Sequence, residues 1–211
     1  MSARLDEVWH RLDHQAAWIG EREREAARDS LARFARWHDA NPRRVLAAEH
    51  AFEIEVLAGG EPVVIRGSMD RVEIDAEGRV HVVDFKTGKR AATAAEIVQH
   101  AQLGVYQVAI DHGAAAGLGV EDVRSGGAEL VHLRVPAGAR RPDDPKVVAQ
   151  PAPTGGPGGS EEPFFALDLL ARSARAIRDE HVVARPGSAC GYCDFQSVCP
   201  TLTGPTIGGP A

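Results

Sequence analysis

Met69-Asp70-Arg71-Val72-Glu73-Ile74-Asp75-Ala76-Glu77-Gly78-Arg79-Val80-His81-Val82-Val83-Asp84-Phe85-Lys86-Thr87-Gly88 is the stretch from which the rest of the chain is read. Val, Ile and Phe recur on both sides of Asp75-Ala76-Glu77-Gly78, which predicts two strands joined by a tight turn. Side chains alternate across a strand, so Val82, Asp84 and Lys86 share one face and Val83 and Phe85 the other. The apolar context places Asp84 and Lys86 at the exposed end of a buried strand, where an uncompensated charge is costly. Pairing the two strands across the turn brings Asp70 beside Asp84. Two carboxylates, with waters and a phosphate oxygen, form the oxygen shell that Mg²⁺ takes. A cation there would polarise a phosphodiester and acidify a bound water. Lys86 would position that water or offset charge growing on the phosphate. Asp-x-Lys alone also describes a structural ion pair on a sheet. Its company makes the pattern specific: Gly67-x-x-Asp70-Arg71 before it, and Gln102 and Tyr106 after it.

Outward from this stretch, strands are predicted at about 45–57, 63–74 and 79–86, turned at Gly59-Gly60 and Glu77-Gly78 as an antiparallel meander. Upstream, residues 4–38 read as one helix, with Leu5, Val8, Leu12, Ala16, Ile19, Leu31 and Phe34 at helical spacing. Glu21 to Glu25 form a solvated charged face, and Asn41-Pro42 ends the helix. Downstream, Thr93 and Glu96 have the spacing of a capping box. They open a helix to about 112, with Ile97, Ala101, Val105 and Val108 on one face. A strand follows at about 128–135. Residues 136–162, rich in Pro and Gly, are expected to be a mobile loop. A last helix covers about 163–181, with Phe165, Leu169 and Ile177 as core contacts, and 204–211 is a frayed tail. Residues 1–203 are read as a single domain.

The 211 residues suffice for a domain with a real core, and 44% hydrophobic with 26% charged residues is ordinary for a globular protein. No apolar run approaches membrane-spanning length, and Met1-Ser2-Ala3-Arg4 lacks the apolar core of a signal peptide. The expectation is a cytoplasmic protein without a membrane partner. A net charge of -6 argues against gripping nucleic acid by bulk electrostatics. It does not exclude a nuclease, because bound cations invert the field locally. The three cysteines, Cys190, Cys193 and Cys199, are odd in number and clustered, which points to a metal or a cluster rather than a disulfide framework.

With these motifs the chain resembles the RecB-type branch of the PD-(D/E)XK nuclease superfamily, over about 49–112 and separately at the cysteines. The resemblance implies an α/β fold with a restriction-endonuclease-like core, a mixed central β-sheet flanked by helices. It implies a catalytic acid at Glu49, metal-binding carboxylates at Asp70 and Asp84, a catalytic lysine at Lys86, and a Gln-x-x-x-Tyr element at Gln102 and Tyr106 whose helical face approaches the site and the DNA. Mg²⁺ or Mn²⁺ is the implied cofactor. Relatives often carry a metal-binding His on an N-terminal helix; His10 and His14 lack its context and neither is assigned.

Cys190-x2-Cys193-x5-Cys199 is similar to the C-terminal part of the iron-sulfur motif of AddB-type nucleases, in which a fourth Cys comes from far upstream. This chain has no upstream Cys, so a four-thiolate 4Fe-4S cluster cannot be completed from it. An N-terminally truncated domain, a Cys₃His Zn²⁺ site using His181, and an empty relic remain open. The resemblance implies a metal-dependent deoxyribonuclease domain acting in DNA repair or recombination and fed by a helicase module. An inactive nuclease-fold module that guides DNA is the rival reading, and a stand-alone zinc domain a third.

Overall fold

A computed structural model describes residues 2–9, 11–12, 16–121, 123–153, 164–180, 183–184 and 186–203. The chain divides into two compact units, Met1–Ala171 and Arg172–Ala211.

The first unit is built on a five-stranded sheet in the order β1-β2-β3-β4-β5: β1 Arg44–Ala58, β2 Glu61–Ile74, β3 Val80–Lys86, β4 Ser125–Gly138 and β5 Arg141–Pro151. The first three strands form the expected antiparallel meander, and the Asp75 carboxylate closes the β2–β3 turn by accepting the Glu77 and Arg79 amides. β3 then pairs in parallel with β4, because two helices cross over between them, and β4 turns back antiparallel into β5. The sheet is therefore mixed.

β5 corrects the expectation of a mobile loop at 136–162. Val147 and Val148 pair with Val131 and Leu130, and Val148 and Gln150 are buried. Three prolines hid this strand; they are tolerated because β5 is an edge, with one side free of ladder bonds. Residues 154–162 of that segment lie outside the described residues.

The predicted N-terminal helix is two: α1 Ser2–Trp9 and α2 Ala17–Ala40. Asp6 accepts from Arg24 and Arg28, so α1 lies alongside α2 instead of extending it. α2 covers one face of the sheet. Phe34 and Trp37 meet Phe85 edge-on, each with ring centroids 5.3 Å apart, and Arg33 reaches the carbonyls of Leu133 and Pro142.

The opposite face carries α3 Ala94–Val98 and α4 Ala101–Asp111. The capping box at Thr93 and Glu96 forms as expected, but the predicted continuous helix breaks at Gln99–His100. The break changes the phase of the buried stripe. Leu103, Tyr106, Val108 and Ile110 are buried, whereas Ala101 is exposed. These side chains join Val56, Met69, Val72, Val80 and Val82 in the core, each worth about 1.5–3 kcal/mol of apolar burial. α5 (Phe165–Arg178) begins in this unit, where Phe165, Ala166, Leu167 and Leu170 pack on the core. Ile177, predicted as a core contact, is 75% exposed, and Leu169 lies outside the core cluster.

The second unit holds the end of α5, single 3-10 turns at Ser188–Tyr192 and Gln196–Val198, and α6 Pro200–Thr203. The predicted tail at 204–211 lies outside the described residues.

Candidate active site at the β2–β3 fork

β2 and β3 pair from Ile74–Val80 to Arg71–Val83 and then part. Asp70 and Asp84 occupy the next rung. Asp70 Oδ2 accepts the Phe85 amide at 2.8 Å, which fixes the carboxylate at the mouth of the fork. Asp84 is only 2% exposed. Lys86, two residues on and on the same face, places Nζ 2.6 Å from Asp84 Oδ2 while its side chain stays 36% exposed.

α4 delivers the remaining parts. Gln102 Nε2 donates to Asp84 Oδ1 at 2.7 Å and to the Tyr106 hydroxyl at 2.8 Å, and Gln102 Oε1 accepts from Lys86 Nζ at 3.0 Å. Tyr106 donates onward to the Ser68 carbonyl on β2 at 2.9 Å. Residues four apart on a helix project from one face, so a single helical turn ties β2, Asp84 and Lys86 together. Of the nine predicted site residues, five, Asp70, Asp84, Lys86, Gln102 and Tyr106, thus meet at the fork.

Glu49 does not join them. Ala48 pairs with Arg71 and His50 with Met69, so Glu49 stands opposite Asp70 in register. Its backbone is left-handed (φ 50°), an uncommon conformation for a residue with a Cβ, and its side chain is exposed. His10, His14 and His181 lie outside the described residues. Cys190, Cys193 and Cys199 form no disulfide with one another. Cys190 Sγ accepts the Gly187 amide, and Cys199 Sγ lies 3.1 Å from Thr201 Oγ1. Among the described residues, no three His, Cys, Asp or Glu side chains converge as a ready-made metal group.

The electrostatics of the fork centre on Asp84. Burial pushes its carboxyl above the usual range; the Lys86 ammonium opposes that shift and the Asp70 charge adds to it. The Asp84–Lys86 contact is an ion pair without hydrogen-bond alignment, so Oδ2 remains a buried acceptor with no aligned donor. A buried oxygen held only by the Lys86 ammonium, beside a second carboxylate, fits a hard divalent cation, whose remaining positions waters and a phosphate would fill. Tyr106 is raised, by burial first.

Two histidines border the fork that the sequence did not single out. His100 caps the N-terminus of α4, and His132 sits opposite Lys86 in the β3–β4 register. Both are lowered, first by burial and then by the nearby Lys86 ammonium. His132 Nε2 accepts the Ala92 amide, and its Nδ1 is buried without a partner. Only the helix break and the parallel register bring them here, and neither has a local sequence signal.

Arg71 of the Gly-x-x-Asp-Arg element turns to the other face. It donates to buried Glu73 at 2.5 Å and to His38 Nδ1 at 3.0 Å, and its guanidinium lies 5.1 Å from the Trp37 ring centroid. Arg43 and Asn41 complete the cage around Glu73. This cluster clamps α2 to the strand that carries Asp70.

No curated protein matches the chain. Among solved structures, the crystal structure of SSO0001 is similar to it at 18% identity with a TM-score of 0.47, over 82% of this chain and 67% of that one. The family profile of the PD-(D/E)XK nuclease superfamily matches residues 1–200. With its mixed sheet flanked by helices, a restriction-endonuclease-like arrangement, the chain belongs to the PD-(D/E)XK nuclease superfamily.

Proposed function

We propose that this protein is a Mg²⁺- or Mn²⁺-dependent deoxyribonuclease of the RecB-like kind, working in DNA repair or recombination beside a helicase module that feeds it DNA. Membership of the superfamily supports nuclease-type phosphodiester hydrolysis, and its members generally use divalent metals. The observation that carries the finer reading is the bonded set of Asp84, Lys86 and Gln102 next to Asp70.

In this reading Asp70 and Asp84 hold the cation. When bound, that ion supplies positive charge that polarises the scissile phosphate and makes a water more acidic. Asp70 is preoriented by the Phe85 amide and Asp84 by Gln102. Lys86 Nζ, shared between Asp84 and Gln102, presents the ammonium at the half-exposed mouth. There it orients the attacking water or offsets negative charge that grows on the phosphate. Gln102 keeps both groups in register, and Tyr106 anchors Gln102 to β2. Glu49, exposed at the rim opposite Asp70, is a residue for contact with the DNA or its ions.

The test is degradation of linear DNA with Mg²⁺ or Mn²⁺ and with EDTA. Wild type is expected to degrade DNA only with the metal, and Asp84→Ala and Lys86→Ala not to. If wild type and Asp84→Ala are equally inert with Mn²⁺, the inactive, DNA-guiding reading takes its place.

A further inference from the structure

A buried polar chain runs from β4 through α4 to the edge strand and ends at the break between α3 and α4. The Gly127 amide donates to Ser125 Oγ at 3.2 Å, and Ser125 Oγ donates to Gln107 Oε1 at 3.0 Å. Gln107 Nε2 donates to Gln150 Oε1 at 2.8 Å. Gln150 Nε2 then donates to the carbonyls of Ile97 at 2.7 Å, Val98 at 3.2 Å and His100 at 3.3 Å. Gln107 is fully buried and Gln150 is 2% exposed.

The break redistributes the donors to these carbonyls: Ile97's accepts the His100 amide at 3.1 Å and His100's accepts the Gly104 amide, while Val98's has no backbone amide among those of the described residues. In an unbroken helix the carbonyls of Ile97 and Val98 would accept the amides of Ala101 and Gln102. Here Gln99 (φ -117°, ψ 35°) and His100 (φ -69°, ψ 112°) leave the helix, and α4 restarts with the Gly104 amide on the His100 carbonyl at 2.9 Å. A carbonyl left short of a donor in the core costs about 1–3 kcal/mol, so the break is favoured where another group replaces the amides that Ala101 and Gln102 would have supplied. The Gln150 amide group does so from a strand some fifty positions away in sequence. The break sets the azimuth at which α4 begins, and Gln102 is its second residue.

We infer that Gln150 is a positioning residue for the Asp84–Lys86 site: it holds the α3–α4 break open and so aims Gln102 at both groups. The kinetic part of this inference rests on the nuclease reading; the geometric part does not.

The test compares wild type with Gln150→Met, which keeps the length and loses the donor, and with Val148→Ala, a core truncation on the same strand. Side-chain amide exchange of Gln102, read by NMR, is expected to be slow in wild type and Val148→Ala and fast in Gln150→Met. The kcat for DNA is expected to fall on the order of 10–100-fold in Gln150→Met with KM little changed, and to hold in Val148→Ala. In a double-mutant cycle, Gln150→Met is expected to add little to Gln102→Leu. If Gln150→Met fails to fold, Gln150→Asn, which keeps the amide on a shorter arm, is expected to loosen Gln102 part-way. Protected Gln102 in either soluble Gln150 variant overturns the inference, as does additivity in the cycle. Absence of hydrolysis by wild type overturns the nuclease reading alone, and the exchange measurement still decides the role of Gln150.

Discussion

Asp70 Oδ2 accepts the Phe85 amide at 2.8 Å, one rung beyond the last backbone pair of the β2–β3 ladder. A side chain thus takes the place of a strand's next hydrogen bond, and the two strands fork around a carboxylate. Asp84 lies inside the fork, buried, with one oxygen held by Gln102 and the other lacking an aligned donor. A group so placed trades stability for readiness to bind a cation.

Asp84→Asn separates those two roles. DNA hydrolysis is expected to fall by at least about 10²-fold, as for loss of a group that acts on transition-state charge. In EDTA the same variant is expected to melt higher than wild type, since a buried charge has been removed; for a chain of this size about 1 kcal/mol corresponds to roughly 2–4 °C. The sign of the pH effect follows from the raised carboxyl. The folded state holds the proton more tightly than the unfolded state. Metal-free stability should therefore fall as pH rises from the ordinary carboxylate range through the raised value. Urea midpoints in EDTA, wild type minus Asp84→Asn, read this directly. A lower melting temperature for the variant would contradict the account.

Asp75 has the opposite sign. Burial would raise its carboxyl, but His81 and the Arg79 amide and guanidinium outweigh burial and hold it at about 2. Its contribution is fully present above the unfolded value near 3.8 and is lost as pH falls toward about 2. Asp75→Asn should lower the melting temperature at pH 7 and shrink the stability lost between pH 4 and 2. Parallel acid-limb curves for variant and wild type would refute the assignment.

Arg71 is expected to matter for stability more than for chemistry. Arg71→Ala leaves Glu73, fully buried, with Arg43 and Asn41 alone, and strips the cover from Trp37. Breaking a buried pair costs about 3 kcal/mol, or roughly 6–12 °C here. Arg71→Lys should recover only part of it, because an ammonium cannot serve Glu73, His38 and the Trp37 face together. Calorimetry of the two variants checks the order.

Gly127 has φ +124°, and a Cβ there would meet the Gln150 carbonyl oxygen at 2.9 Å, a backbone atom that cannot step aside. Gly127→Ala should cost about 2 kcal/mol, roughly 4–8 °C. Gly88→Ala, at ordinary φ and with open space around the added methyl, should stay within about 0.5 kcal/mol of wild type. Equal melting temperatures for the two would show that the backbone at 127 is not constrained.

The primary structure alone determined the three-stranded meander and the meeting of Asp70, Asp84 and Lys86, because strand alternation and a four-residue turn set that register locally. It also determined that Gln102 and Tyr106 share a helical face, since spacing by four needs no partner. Tertiary structure alone decided the rest. β5 had too many prolines to read as a strand and forms because β4 offers it a ladder. Alternation alone puts Arg71 on the face opposite Asp70, but that it meets Trp37 and His38 there was decided by the packing of α2 on the sheet. The break before α4, which decides where Gln102 points, is sustained by the Gln150 amide reaching three carbonyls across the core. No local pattern encodes that donor, because only the folded chain brings these three carbonyls opposite Gln150.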